Sequence, residues 1–202
     1  MEEILPGIHH WTALHPRIGQ RVSSYYVEPA GILIDPMAPE DGLGFFEELD
    51  LAPQQIVLTN RHHYRDSDRF REAFGCVVRA SDPGLHEFEA TGREVEGFSF
   101  GEEVAPGVTA VEIGAICPDE TALHIAVGDG AVAFADGLVR PRGGPLGLVP
   151  DYLMDDPPAT RQGLRDSFRG LLERNFDALL FAHGEPLTSG GRSALSDFVN
   201  SG

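Results

Sequence analysis

Hydrophobic positions along the chain fall into short blocks with two different periods. "SSYYVEP" and "GILIDP" are brief apolar runs rich in aromatic and branched residues, and "EPAG" joins them as a turn, so they read as paired strands. In "EDGLGFFEELD" the period changes. Leu43, Phe46 and Leu49 fall on one helical face, with Asp41 placed to cap it. "QQIVLT" reads as a short buried strand. Phe70 and Phe74 then share one side, which predicts a helix from Arg65 to Phe74, just after two adjacent histidines. "GCVVRA" returns to strand. "GVTAVEIG", "TALHIAVG" and "GAVAFADG" are strands with little helical signal between them, and "GDG" forms a hairpin turn. The segment "LVRPRGGPLGLVPDYLMDDPP" is a loop rich in Gly and Pro. Beyond it, Leu164, Phe168, Leu171 and Leu172 make the clearest helical stripe, with Asp156 as cap and Pro157 in the first turn. "DALLFAHGEP" is a strand that ends in a histidine, and "GGRSALSDFV" is a closing helix.

Two strand-rich blocks, each ending in helix, predict sheet packed on sheet with helices outside, in the α/β or α+β class. No short repeat and no linker divides the chain, so residues 1–202 are expected to form a single domain.

Composition narrows the function classes. Hydrophobic residues make up 42% of the 202, enough for a packed core. There are 32 acidic and 15 basic residues, for a net charge of −17, and every basic residue is Arg. Such a chain is poorly suited to nucleic acid, whose affinity depends on cationic patches. Cys76 and Cys117 match no metal spacing and are expected to be reduced. "MEEILPGIHHW" lacks a basic start and a long apolar run, and no window approaches the roughly 20 apolar residues of a membrane span. A cytoplasmic protein with no membrane partner is expected.

Polar residues at strand ends are where chemistry gathers. Three places qualify: Asn60 to Asp68 after "IVLT", Asp136 after "AVAFA", and His183 after "ALLFA". If the three strands run side by side, their ends bring His62, His63, Asp136 and His183 together, with Arg61 and Arg65 close by.

These segments resemble the metallo-β-lactamase superfamily over nearly the whole length. The resemblance rests on an opening "SYYV…GILID", a strand leading into the motif T-H-x-H-x-D-H, then G-H-T-x-G-H-T, a strand ending in Asp, and a last strand ending in His-Gly. It implies a four-layer αββα sandwich. In typical members the motif residues bind two metal ions, usually zinc, that activate water for hydrolysis. In "TNRHHYR", Thr59 and His62 match, whereas Asn60 replaces the first ligand His, Tyr64 the Asp and Arg65 the following His. In "AICPDETAL", Ile116 replaces a ligand His. Asp136 matches the bridging carboxylate, His183 the final His, and Asp35 a residue that supports the site.

The losses touch both metal positions, so the expectation is a divergent member without the dinuclear centre, with no cofactor and a small-molecule ligand in the old cleft. The candidate pocket comprises Asn60, His62, His63, Tyr64, Arg65, Asp136 and His183. The alternative is a single Zn, Fe or Mn ion held by His62, Asp136 and His183, two imidazoles and a carboxylate being a legitimate ligand set. It would serve hydrolysis of an ester, thioester or lactone. Without a metal, Asp136 needs a cationic neighbour, and Arg65 is expected to pair with it.

Overall fold

The computed structural model describes residues 1–201. Its first sheet contains β1 (Glu2–Leu5), β2 (Ile8–His15), β3 (Gln20–Val27), β4 (Ile32–Ile34), β5 (Gln55–Val57), β6 (Val77–Ser81) and β7 (Glu96–Phe98), hydrogen-bonded in that order. The first four strands run antiparallel to their neighbours, and β4 to β7 run parallel. The second sheet has the order β12 (Ala178–Phe181), β11 (Ala131–Phe134), β10 (Thr121–Ile125), β9 (Val108–Glu112) and β8 (Glu103–Ala105). There β11 and β12 are parallel and the rest antiparallel.

Each central strand is apolar on both faces because each face has its own layer to cover. Along β11, Ala131 and Ala133 turn inward to the space between the sheets, where they join Tyr25, Ile34, Val57 and Leu180. Val132 and Phe134 turn outward against Leu164, Phe168 and Leu195. Those last residues belong to α4 (Pro157–Leu171) and α5 (Gly191–Asn200). The outer face of the first sheet carries Tyr26, Leu33 and Ile56, covered by α1 (Gly44–Glu47), α2 (Ser67–Phe74) and α3 (Leu85–Thr91) through Phe46, Phe70 and Phe88. The period-2 alternation of a strand thus feeds two cores at once, and the result is the αββα sandwich read from the sequence.

The two sheets are tied together at the end where β4, β5, β11 and β12 terminate. Ser23 N donates to Ala182 O at 2.9 Å, and Thr121 N donates to Thr59 O at 2.8 Å. The Tyr25 hydroxyl donates to Phe181 O at 2.9 Å and accepts from Phe181 N at 3.0 Å. Parallel strands leave their carboxyl ends open to loops, and these ties bring the ends of both sheets to one place.

Several expected boundaries shift. The helix expected from Asp41 is a single turn, Gly44–Glu47, without a side-chain cap, because Gly42 and Gly44 interrupt the helical run and Gly42 takes φ +85°. Leu43, Phe46 and Leu49 still face one cluster. The helix expected from Arg65 begins at Ser67, since Arg65 is left-handed (φ +47°) and breaks the run. Asp156 caps α4 as expected, accepting from Ala159 N at 3.1 Å. Strands β1, β2, β7 and β8 and helix α3 are not evident from periodicity. In β2, His9 and His10 obscure the alternation. No helix among the described residues is long and apolar enough to cross a membrane.

Candidate metal site

Asp35 follows β4 directly and is 2% exposed, with a left-handed backbone at φ +47°. Its Oδ1 accepts from Thr59 N at 2.8 Å, and its Oδ2 meets Thr59 Oγ1 at 2.5 Å and His63 Nδ1 at 2.9 Å. Thr59 ends the run after β5. It is followed by one turn of 3-10 helix, Arg61–His63, which carries His63 back over Asp35. Burial would lower the basicity of His63, but the carboxylates of Asp35 and Asp136 outweigh it and push the imidazole from its ordinary 6.5 up to about 9.

The other ring nitrogen, His63 Nε2, lies 3.4 Å from Asp136 Oδ1, and His183 Nε2 lies 3.0 Å from the same oxygen. One ligand atom from each of His63, Asp136 and His183 falls within 4.8 Å of the other two. Burial alone would raise the Asp136 carboxyl, yet the charge of His63 and hydrogen bonds from both imidazoles hold it well below the usual carboxylate range. The His63 side chain is 6% exposed, whereas Asp136 and His183 are 30% and 24% exposed, so one wall of the cluster is closed and the other meets solvent. Asp136 lies two residues beyond β11 and His183 two beyond β12, so the parallel pairing of these strands sets the two side chains next to each other. Gly184 follows with φ +126°; a Cβ there would meet Arg140 O at 2.0 Å, so only glycine lets the chain pass.

No family model matches the sequence, and no curated protein does. Solved structures do. A metallo-β-lactamase family protein from Thermus thermophilus, TTHA1429, superposes with a TM-score of 0.68 at 19% identity, covering 98% of this chain and 80% of its own. TTHA1623, solved in a di-iron-bound form, gives 0.66 at 22% identity, covering 91% and 96%. An archaeal metallo-β-lactamase superfamily protein, ST1585 from Sulfolobus tokodaii, gives 0.64 at 13% identity, covering 96% and 85%. The chain has the metallo-β-lactamase fold.

Within that fold the loop from Thr59 to Asp66 departs from its expected arrangement. His62, expected to join Asp136 and His183 on a single metal, is exposed and stays outside the cluster; His63 takes its place. The 3-10 turn rotates the loop so that the second histidine of the pair points inward. Tyr64 also leaves the pocket. It is buried against Phe88 on the helix side of the sheet, its hydroxyl donates to Asp68 Oδ1 at 2.6 Å, and Arg93 stacks over its ring at 4.0 Å. The expected Arg65–Asp136 ion pair is replaced by other contacts. Arg65 Nη1 donates to Ser23 O and Asp35 O, each at 2.6 Å, so main-chain carbonyls of the first sheet take the guanidinium in place of Asp136. The groups that face Asp136 Oδ1 are the imidazoles of His63 and His183. Asn60 does enter the site: its Nδ2 donates to Asp136 Oδ2 at 2.8 Å. Ile116 packs with the helix-side core of the second sheet.

Two features escape a reading of the sequence. Glu120 is 1% exposed, and burial, reinforced by the charge of Asp136, pushes its carboxyl from 4.5 up to about 7. Its Oε1 accepts from Gly137 N at 2.6 Å, while Oε2 is buried without a partner among the described residues. Its only signal in the sequence is an acid immediately ahead of an apolar strand. Asp119, also buried, accepts from Arg61 N at 2.7 Å and pairs with the Arg61 guanidinium, pinning the histidine loop to the segment before β10. Cys117 lies in that segment. Burial, with Asp119 and Glu120 nearby, pushes its thiol up to about 12, which favours the protonated thiol at neutral pH.

Proposed function

We propose that the protein holds one divalent metal ion through His63 Nε2, Asp136 Oδ1 and His183 Nε2, and hydrolyses a small ester, thioester or lactone. The observation that carries this reading is the convergence of those three donors within 4.8 Å at the carboxyl ends of the strands. The donor chemistry fits: two imidazoles and a carboxylate suit zinc, iron or manganese. Asp35 Oδ2 engages Nδ1 of His63, which leaves Nε2 as the free donor, the usual way a carboxylate orients a ligating histidine. A divalent ion at such a site polarises a carbonyl and activates water. The protein's part is to fix the ring of His63, to hold Asp136 ionised, and to leave the Asp136–His183 wall open to a substrate.

One ion is favoured over two because, of the remaining motif positions, Asn60, Tyr64 and Arg65 are engaged elsewhere and Ile116 is apolar, which leaves His62 as a lone donor. A second reading, a metal-free cleft that binds a small molecule, is supported by the two carboxylates that flank His63. A protonated ring there offsets one of the two carboxylate charges without any ion.

Elemental analysis separates the two. After separate incubation with zinc, iron and manganese and removal of free ion, the expected result is one equivalent of at least one metal. It should be lost in His63→Ala and His183→Ala and kept in His62→Ala. Two equivalents, or none with all three metals in folded protein, would overturn the single-metal reading.

A further inference from the structure

Asn60 sits in the extended region (φ −157°, ψ 169°) and caps the 3-10 turn Arg61–His63. Its Oδ1 accepts from His62 N at 2.9 Å. A backbone N–H can only donate, so the amide oxygen must face it and the amide nitrogen must face the other way. That nitrogen donates to Asp136 Oδ2 at 2.8 Å. The residue is 3% exposed, so its side chain has no freedom to turn. The two oxygens of Asp136 therefore have separate duties. Oδ2 is taken by Asn60, and Oδ1 is presented to His63 and His183 at 3.4 and 3.0 Å.

We infer that Asn60 is a positioning residue that fixes Asp136 as a one-oxygen ligand turned toward His63 and His183. This rests on the single-metal reading above. The same residue stands where the resembled family places a ligand histidine. A donor to metal has here become a donor to the carboxylate, and a side chain spent on Asp136 cannot also supply a second ion. Asn60 thus links two properties that could have varied independently: the orientation of Asp136 and the limit of one metal.

The turn-capping role and the positioning role can be separated. Serine is a good cap but too short to reach Asp136, so Asn60→Ser keeps the turn and loses the contact; alanine loses both. Zinc affinity is measured for wild type, Asn60→Ser and Asn60→Ala by competition with a chromophoric chelator, with circular dichroism to confirm folding and Asn60→Thr as a second cap-competent variant. If Asn60 positions Asp136, Asn60→Ser and Asn60→Ala both bind zinc about 10–100-fold more weakly than wild type, as is usual on loss of a residue that orients a ligand. If Asn60 only caps the turn, Asn60→Ser and Asn60→Thr match wild type, and the inference is overturned while the single-metal reading stands. Wild-type protein that binds no zinc, iron or manganese removes both.

Discussion

The two walls of the site are built differently. On the first sheet, Asp35, Thr59 and His63 form a closed network in which Asp35 receives a backbone amide, a hydroxyl and a ring nitrogen, all buried. On the second sheet, Asp136 and His183 stand two residues beyond parallel strands and remain partly open to water. The first wall supplies rigidity and charge; the second supplies access. Their difference also explains which residues could be placed from the sequence. A side chain two residues past a strand keeps its phase with the paired neighbour, so the placing of Asp136 beside His183, like that of Phe134 beside Phe181, follows from "AVAFAD" and "ALLFAH". A side chain reached through a 3-10 turn followed by a left-handed residue inherits no such phase.

The largest break in this comparison comes from the closed wall. Asp35→Ala removes the hydrogen bonds from Thr59 N, Thr59 Oγ1 and His63 Nδ1 and leaves the buried His63 ring with Asp136 as its one remaining carboxylate. It should cost about 3–5 kcal/mol in denaturant unfolding. Asp136→Ala, on the open wall, should cost less stability and more zinc affinity. Equal losses of stability for the two variants would mean that the walls are not specialised as described.

A pH series sharpens the same contrast. The folded state keeps a proton on Glu120 between about 4.5 and 7, and one on His63 between about 6.5 and 9, where the unfolded chain has lost both. A folded state that binds more protons loses stability as pH rises. Half-buried His10, held down at about 4, acts in the opposite sense below pH 6.5, so melting temperatures of the metal-free protein should fall from about pH 6.5 to pH 9, and Glu120→Gln should change the curve only below about pH 7. Zinc should act in the opposite sense. Its binding requires the proton to leave His63, so the rise in melting temperature on adding zinc should grow with pH. A zinc effect that shrinks as pH rises would contradict the assignment of His63 as a ligand.

The smallest effect is expected at His62. It is exposed, so His62→Ala should change stability by less than about 0.5 kcal/mol and leave zinc affinity unchanged. A large loss of affinity would return His62 to the centre and break the assignment of His63.

The layered fold was legible because its strands alternate and its helices carry stripes. Leu164, Phe168 and Leu171 pack where their spacing puts them, and Ala131 to Phe134 divide between two cores. Asp136 and His183 were legible for the same reason. The pair His62 and His63 was not, because choosing between neighbours requires the rotation of one short turn, and that rotation is set by Asn60 and by the backbone of Arg65. Nor was the Arg65 contact. Its partners are the carbonyls of Ser23 and Asp35, and main-chain acceptors leave no trace in the identity of a residue. Glu120 was hidden because burial of an acid depends on what packs over it, here Gly137, whose N–H donates to its carboxylate.

The hydroxyl of Tyr25 has a consequence away from any chemistry. Strand β12 is the last in its sheet, and a terminal strand normally offers a row of bare amides and carbonyls to any chain that can add alongside. Here Leu179 exchanges both of its outward bonds with Leu187, and Phe181 exchanges both of its own with the single hydroxyl of Tyr25. That margin is closed to edge-to-edge aggregation by one segment of its own loop and one oxygen atom borrowed from the opposite sheet.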